Sequence, residues 1–179
     1  MCVALLMVVA FLLRLYAGSD LYLHEWDERY HALVAKNLMD NPWKPVLYAN
    51  PILPYDYRDW SANHVWLHKQ PFPLWCMAVS MKIFGVNEIA LRLPSIGLST
   101  LSVWGTFLIG KYLLSEKTGI MAAVLHAIHG LSIELTGGRT ATDHVDVFFQ
   151  GLILFAVVFA LYHAKTKSKG WLVLMAMAL

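Results

Sequence analysis

The residues best able to do chemistry in this chain stand where long apolar runs end. The first group is His24-Glu25-Trp26-Asp27-Glu28-Arg29-Tyr30-His31. A carboxylate at such a boundary can act as general base on an acceptor hydroxyl. The same acids in the first turn of a helix are also what a helix dipole favours. The second group is His64-Val65-Trp66-Leu67-His68-Lys69-Gln70-Pro71. Lys69 can hold a phosphate as a point charge, or it can snorkel to an interface along an apolar surface. The third group, Arg139-Thr140-Ala141-Thr142-Asp143, follows Gly137-Gly138. Arg139 and Asp143 at i, i+4 can pair on a helix, worth about 0.3–0.5 kcal/mol. With Glu134 and Asp146 they also bracket an apolar run, where ionisable residues are functional candidates.

Histidines add a metal question. His24, His31, His64, His68 and His144 all lie near acids, and His64 and His68 at i, i+4 could share a helix face. No CxxC or HExxH motif accompanies them. They read as scattered interfacial histidines, and no metal ligand is assigned, although a divalent cation is compatible with these groups. His126 and His129 fall inside an apolar run, where interhelical hydrogen bonds are expected. Cys2 and Cys76 sit at different depths and predict no disulfide.

These groups must be positioned by membrane spans. The 179 residues are 58% hydrophobic and 15% charged, whereas soluble domains are about a quarter charged. The charges cluster and leave apolar runs at 1–17, 93–110, 118–133, 147–164 and from Trp171 onward. Spans are predicted at about 1–17, 93–112, 117–135, 144–164 and 171–179. Residues 1–17 lack the basic start and small-residue cleavage site of a signal peptide, and Arg14 reads as an interface snorkel. Residues 71–81 are uncharged but too few to cross ~30 Å as a helix; they fit an interfacial or re-entrant helix. The chain begins and stops inside apolar runs, which predicts an N-terminal piece of a longer protein that is inactive alone.

Lys111 and Lys117 flank one short loop, and Lys165, Lys167 and Lys169 fill another. Short cytoplasmic loops carry excess Lys and Arg. Both loops are therefore expected inside, with the loop 18–92 and the turn 134–146 outside. This holds only if 71–81 does not cross. The outer loop carries Trp26, Trp43, Trp60, Trp66 and Trp75 among its many aromatics, which suits a membrane surface. Residues 27–40 read as an amphipathic helix with Tyr30, Val34 and Leu38 on one face, ended by Asn41-Pro42. The expected fold is an all-α membrane protein: a multi-spanning helical bundle with a long first extracytoplasmic loop containing juxtamembrane helices. No basic stripe suggests nucleic acid.

Five motifs in order resemble a known class. They are Arg14-Leu15; Trp26-Asp27-Glu28-Arg29-Tyr30; His68-Lys69-Gln70-Pro71; Phe84-Gly85 with Glu88 and Arg92-Leu93-Pro94-Ser95; and Arg139 with Asp143. Together they resemble the membrane glycosyltransferases of the GT-C class, in particular the protein O-mannosyltransferases (the dolichyl-phosphate-mannose-protein mannosyltransferase family) and the bacterial aminoarabinose transferases of lipid A. Gln70 departs from the pattern, which has a second proline there. The chain is also short, since members have many more spans and often a soluble C-terminal domain.

The resemblance implies a polyprenyl-phosphate sugar donor, an acceptor protein or lipid, and transfer on the extracytoplasmic side of an inner or plasma membrane. It implies Asp27 as the catalytic carboxylate, supported by Glu28, with Asp143 as a second acid. Lys69 would bind the donor phosphate, with Tyr30, His68 and Arg139 completing substrate binding. Such roles are chemically coherent. Sugar transfer develops oxocarbenium-like charge, and a cation stabilises the departing phosphate. The alternative is a transporter or flippase of a lipid-linked substrate, which would place ionisable groups at mid-membrane on broken helices. A non-catalytic scaffold would leave Asp27 and Asp143 solvent-facing and far apart.

Overall fold

The computed structural model describes residues 2–59, 64–140 and 144–179, and over these the chain is an all-α membrane protein. The helices are α1 (Cys2–Ala17), α2 (Asp27–Leu38), α3 (Pro71–Phe84), α4 (Glu88–Leu113), α5 (Glu116–Ala127), α6 (Gly130–Thr136), α7 (His144–Thr166) and α8 (Lys169–Ala178). Two are long and apolar enough to cross a membrane, α4 with 26 residues and α7 with 23. At 1.5 Å per residue they reach about 39 and 34 Å. A third crossing exists if α5 and α6, bent by 54° at their junction, are one span. α1, α3 and α8 are shorter apolar helices.

Small residues let these helices approach. A side chain at Gly110 would strike the Gly119 backbone of α5, and one at Gly119 would strike the Phe107 carbonyl of α4. Between α4 and α7, Leu154 fills the space over Gly105 and Leu98 fills that over Gly151. In lipid, where apolar burial drives little association, such close packing holds helices together. Pro94 lies inside α4 and cannot donate to the carbonyl four residues back. That carbonyl, Ala90 O, instead accepts from the Ser80 hydroxyl of α3 at 2.6 Å. The defect in one helix thus fastens the next.

The expected continuous span at 117–135 breaks at Ile128-His129. His129 has extended backbone and caps α6, its Nδ1 accepting from Ser132 N at 3.3 Å. The break leaves the last carbonyls of α5 without helical donors. Arg14 supplies them. It is not the interface snorkel expected from sequence but fully buried, donating to Ala127 O (3.1 Å), His126 O (3.3 Å), Ala10 O (3.2 Å) and Ser99 Oγ (2.7 Å). An arginine this far from water needs a partner for nearly every N–H, and the broken helix provides two of them. His126 does make an interhelical bond, Nδ1 to Thr106 Oγ1 at 2.7 Å.

The loop 18–92 has its own core. Val34, Ala35 and Leu38 of α2 pack with Leu74, Met77, Ala78 and Met81 of α3 and with Ala90 and Leu91 of α4. Its lid is an isolated antiparallel bridge, Val46 to Val65, strapped to α2 by Asn37 Nδ2 donating to Val46 O at 2.9 Å. His64 and His68 therefore lie in bends outside any helix rather than on a shared helix face. Leu47 N and Trp66 N spend their bonds across this bridge.

Candidate active site

Four helix ends converge at one end of the bundle. Arg92 near the start of α4 donates to Gly18 O just past α1 (3.0 Å). The Gly137 backbone at the end of α6 abuts Ala17 O, and His144 at the start of α7 reaches Ser95 of α4. Lys111 and Lys117, at the α4–α5 turn, and Lys165, Lys167 and Lys169, at the α7–α8 turn, lie at the other ends of these helices.

Asp27 opens α2 at the convergent end. The residue before it, Trp26, has φ 66° and ψ −122°, a conformation costing about 1–3 kcal/mol for a residue with a side chain. The turn is held open there, and the Trp26 ring is left exposed. One turn into α2, Tyr30 stacks on Trp66, with centroids 5.9 Å apart and an interplanar angle of 18°. Trp66 also meets His68 edge to face at 5.6 Å. This aromatic hinge carries the chain back from the bridge toward Asp27. Lys69 Nζ ends 4.0 Å from Asp27 Oδ2, both side chains about a quarter exposed (23% and 28%). Two residues later α3 begins at Pro71, so its positive dipole end adds to the Lys69 charge. Beside Lys69 a cleft of about 370 Å³ is lined by Trp43, Trp66, His68, Gln70 and Trp75 among others.

Glu28 has the opposite surroundings. It is buried to 1% exposure. Arg92 grips it in a fork, Nε to Oε1 at 2.7 Å and Nη2 to Oε2 at 3.0 Å. His144 Nε2 lies 3.0 Å from Oε1. The His24 backbone N–H donates to Oε2 at 2.6 Å, with the His24 ring Nδ1 at 2.9 Å. Burial alone would raise this carboxyl, but the bonds from His144 and Arg92, the charge of His144 and the His24 N–H outweigh it and hold it at about 2. Arg92 also donates to Asp20 O at 2.6 Å and Tyr22 O at 2.7 Å, which wraps the 18–24 segment around the pair.

Arg139 joins from the α6–α7 turn. Its Nε and Nη2 each lie 3.0 Å from Asp20 Oδ2, and its Nη1 lies 3.6 Å from Glu134. Slight burial works to lower its pKa, but the Asp20 bond and the charges of Asp20 and Glu134 raise it. Of the residues expected from sequence, Asp27, Lys69, Tyr30 and His68 thus gather on one side. Glu28 faces inward, and Arg139 reaches the Glu28 cluster through Asp20 and His24 (3.3 Å). Asp143 lies outside the described residues. Among the described residues no cluster of three metal-ligating side chains forms.

Sequence reasoning missed the network around Glu28. Arg92, Ser95, Ser99, Ser102 and Thr106 recur at steps of three and four along α4, a polar stripe within an otherwise apolar helix. Arg92 takes Glu28 of α2, Ser95 takes His144 of α7, Ser99 takes Arg14 of α1, and Thr106 takes His126 of α5. The stripe was the available signal.

A model of the family described as dolichyl-phosphate-mannose-protein mannosyltransferase matches residues 68–178. That span contains Lys69, Arg92, Arg139 and His144 but begins after Asp27 and Glu28. The undecaprenyl phosphate-alpha-4-amino-4-deoxy-L-arabinose arabinosyl transferase of Pseudomonas aeruginosa (strain UCBPP-PA14) is 28% identical over 123 residues, covering 65% of this chain and 22% of the relative. The same-named protein of Pseudomonas paraeruginosa (strain DSM 24068 / PA7) matches to the same extent. The chain thus spans about a fifth of the length of these curated relatives. No solved structure matches it.

Proposed function

This chain belongs to the dolichyl-phosphate-mannose-protein mannosyltransferase family, and from that premise we propose that it forms the catalytic end of a membrane glycosyltransferase. The reaction moves a sugar from a polyprenyl-phosphate donor to an acceptor hydroxyl of a protein, lipid or glycan. The observation that carries this reading is the loose Asp27–Lys69 pair at 4.0 Å, which joins the family-matched segment to the acid that precedes it. Lys69, with the start of α3 behind it, holds the donor phosphate and takes up the charge of the leaving group. Asp27 accepts the proton of the acceptor hydroxyl as that oxygen attacks the anomeric carbon and the carbon–phosphate oxygen bond breaks. Glu28 is too buried to meet substrate and serves as the anchor of α2. His68 and Tyr30 line the approach.

Both lysine-bearing turns lie at the bundle end away from Asp27 and Lys69, which supports an extracytoplasmic site by the positive-inside tendency. One observation favours the flippase alternative, namely the broken α5–α6 pair with a buried arginine. There, however, Arg14 donates to Ala127 O and His126 O, two of the carbonyls freed by the break.

The test is Asp27→Asn in the full-length protein, assayed for transfer from a polyprenyl-phosphate sugar. Transfer should fall by about 10²–10⁴, with membrane insertion unchanged. A variant that still transfers at the native rate overturns the assignment of the base.

A further inference from the structure

His144, the first residue of α7, is fully buried. Its Nε2 lies 3.0 Å from Glu28 Oε1 and its Nδ1 lies 3.0 Å from Ser95 Oγ. An ionised carboxylate only accepts, so Nε2 must carry a proton. The Ser95 hydroxyl has a single proton, and the Arg92 carbonyl, which can only accept, takes it at 2.7 Å. Ser95 therefore turns a lone pair toward Nδ1, and Nδ1 must donate as well. An imidazole that donates from both nitrogens is the cation.

The surrounding charges accommodate it. Glu28, Asp20 and Glu134 supply three negative charges against Arg92, Arg139 and His144. His24 adds a further donor, its Nδ1 lying 2.9 Å from Glu28 Oε2, with its Nε2 3.3 Å from Asp20 Oδ2. The α6–α7 turn closes over the pair. Gly138 sits at φ +73°, and a Cβ there would come within 2.7 Å of Glu28 Oε1 and 2.9 Å of His144 Nε2. Backbone, and no side chain, fits against this contact.

We propose that His144 is a positioning residue for Asp27: an imidazolium clamped between Ser95 and Glu28 that fixes the first turn of α2 and so sets the approach of Asp27 to Lys69. The inference rests on the glycosyltransferase reading of the Asp27–Lys69 site. It links α7, which belongs to the family-matched segment, to an acid outside it.

The experiment uses the full-length protein with histidine labelled at its ring nitrogens, and His144 is identified by the signal lost in His144→Gln. Both nitrogens should resonate as protonated imidazolium at neutral pH, and Ser95→Ala should shift the Nδ1 signal. His144→Ala should lower kcat on the order of 100-fold, as small misplacements of catalytic groups do. The donor KM should be unchanged, and His144→Gln, which restores one donor to Glu28, should recover about tenfold. If His144→Ala fails to insert, the His144→Gln kcat and the Ser95→Ala spectrum decide. A neutral tautomer at His144, or a native kcat in folded His144→Gln while Asp27→Asn is inactive, overturns the proposal. An active Asp27→Asn protein overturns the site reading instead, and the nitrogen signals then still decide the charge of His144.

Discussion

Asp27 is about a quarter exposed and faces one cation at 4.0 Å. Glu28, the next residue, is 1% exposed and is held by Arg92, His144 and His24. Consecutive helical positions point about 100° apart, so one turn of α2 can leave one acid partly exposed and lock the other in the bundle. A carboxylate bound by several donors is a poor base, because its proton affinity has been spent on those bonds. The same residue chemistry is thus divided by environment into a partly exposed acid and an anchor.

Breaking the anchor should cost more stability than breaking the exposed pair. Arg92→Met leaves the Glu28 charge buried with its fork removed, and it should destabilise the detergent-solubilised protein by about 3–5 kcal/mol. Asp27→Asn, by contrast, should shift the thermal midpoint by no more than an ordinary surface change, about 0.5 kcal/mol. Equal losses in the two variants would erase the distinction. Gly138→Ala tests the seal over the anchor. Its positive φ and the overlap with Glu28 should cost about 1–3 kcal/mol, read from the same melting curves.

A further effect is set by acid. The Glu28 carboxyl is held at about 2, below the usual carboxylate range. A depressed folded pKa gives stability that is complete above the unfolded value of about 4.3 and is lost as pH falls from there through about 2. Thermal melts from pH 7 to pH 3 should therefore show a loss below about pH 4.3 that is absent in Glu28→Gln. A Glu28→Gln protein with the native acid dependence would show that another carboxylate carries it.

Much of the architecture was legible because membrane spans are dictated by length and apolarity. The uncharged stretches at 93–110 and 147–164 fall within α4 and α7, and residues 71–81 fall in a shorter apolar helix of 14 residues. The amphipathic spacing of Val34 and Leu38 likewise marked the buried face of α2. Arg14 was misread because an arginine near the end of an apolar run has two outcomes, water or a buried partner. The partner came from a helix break more than a hundred residues away. The break itself was hidden because residues 118–133 carry no charge and no proline, and of their two glycines Gly119 sits inside α5 without breaking it.

The sequence by itself determined that this chain is an α-helical membrane protein with ionisable groups clustered at the ends of its apolar runs, since hydropathy and charge are local properties of the residues. It also carried the motif order that resembles lipid-linked glycosyltransferases. Only the tertiary structure decided which of Asp27 and Glu28 stays partly exposed, and that Lys69 returns to the former while Arg92 and His144 close on the latter. Those outcomes depend on distances between residues separated by 42, 64 and 116 positions, and such distances are fixed by packing across helices rather than by any run of neighbouring side chains.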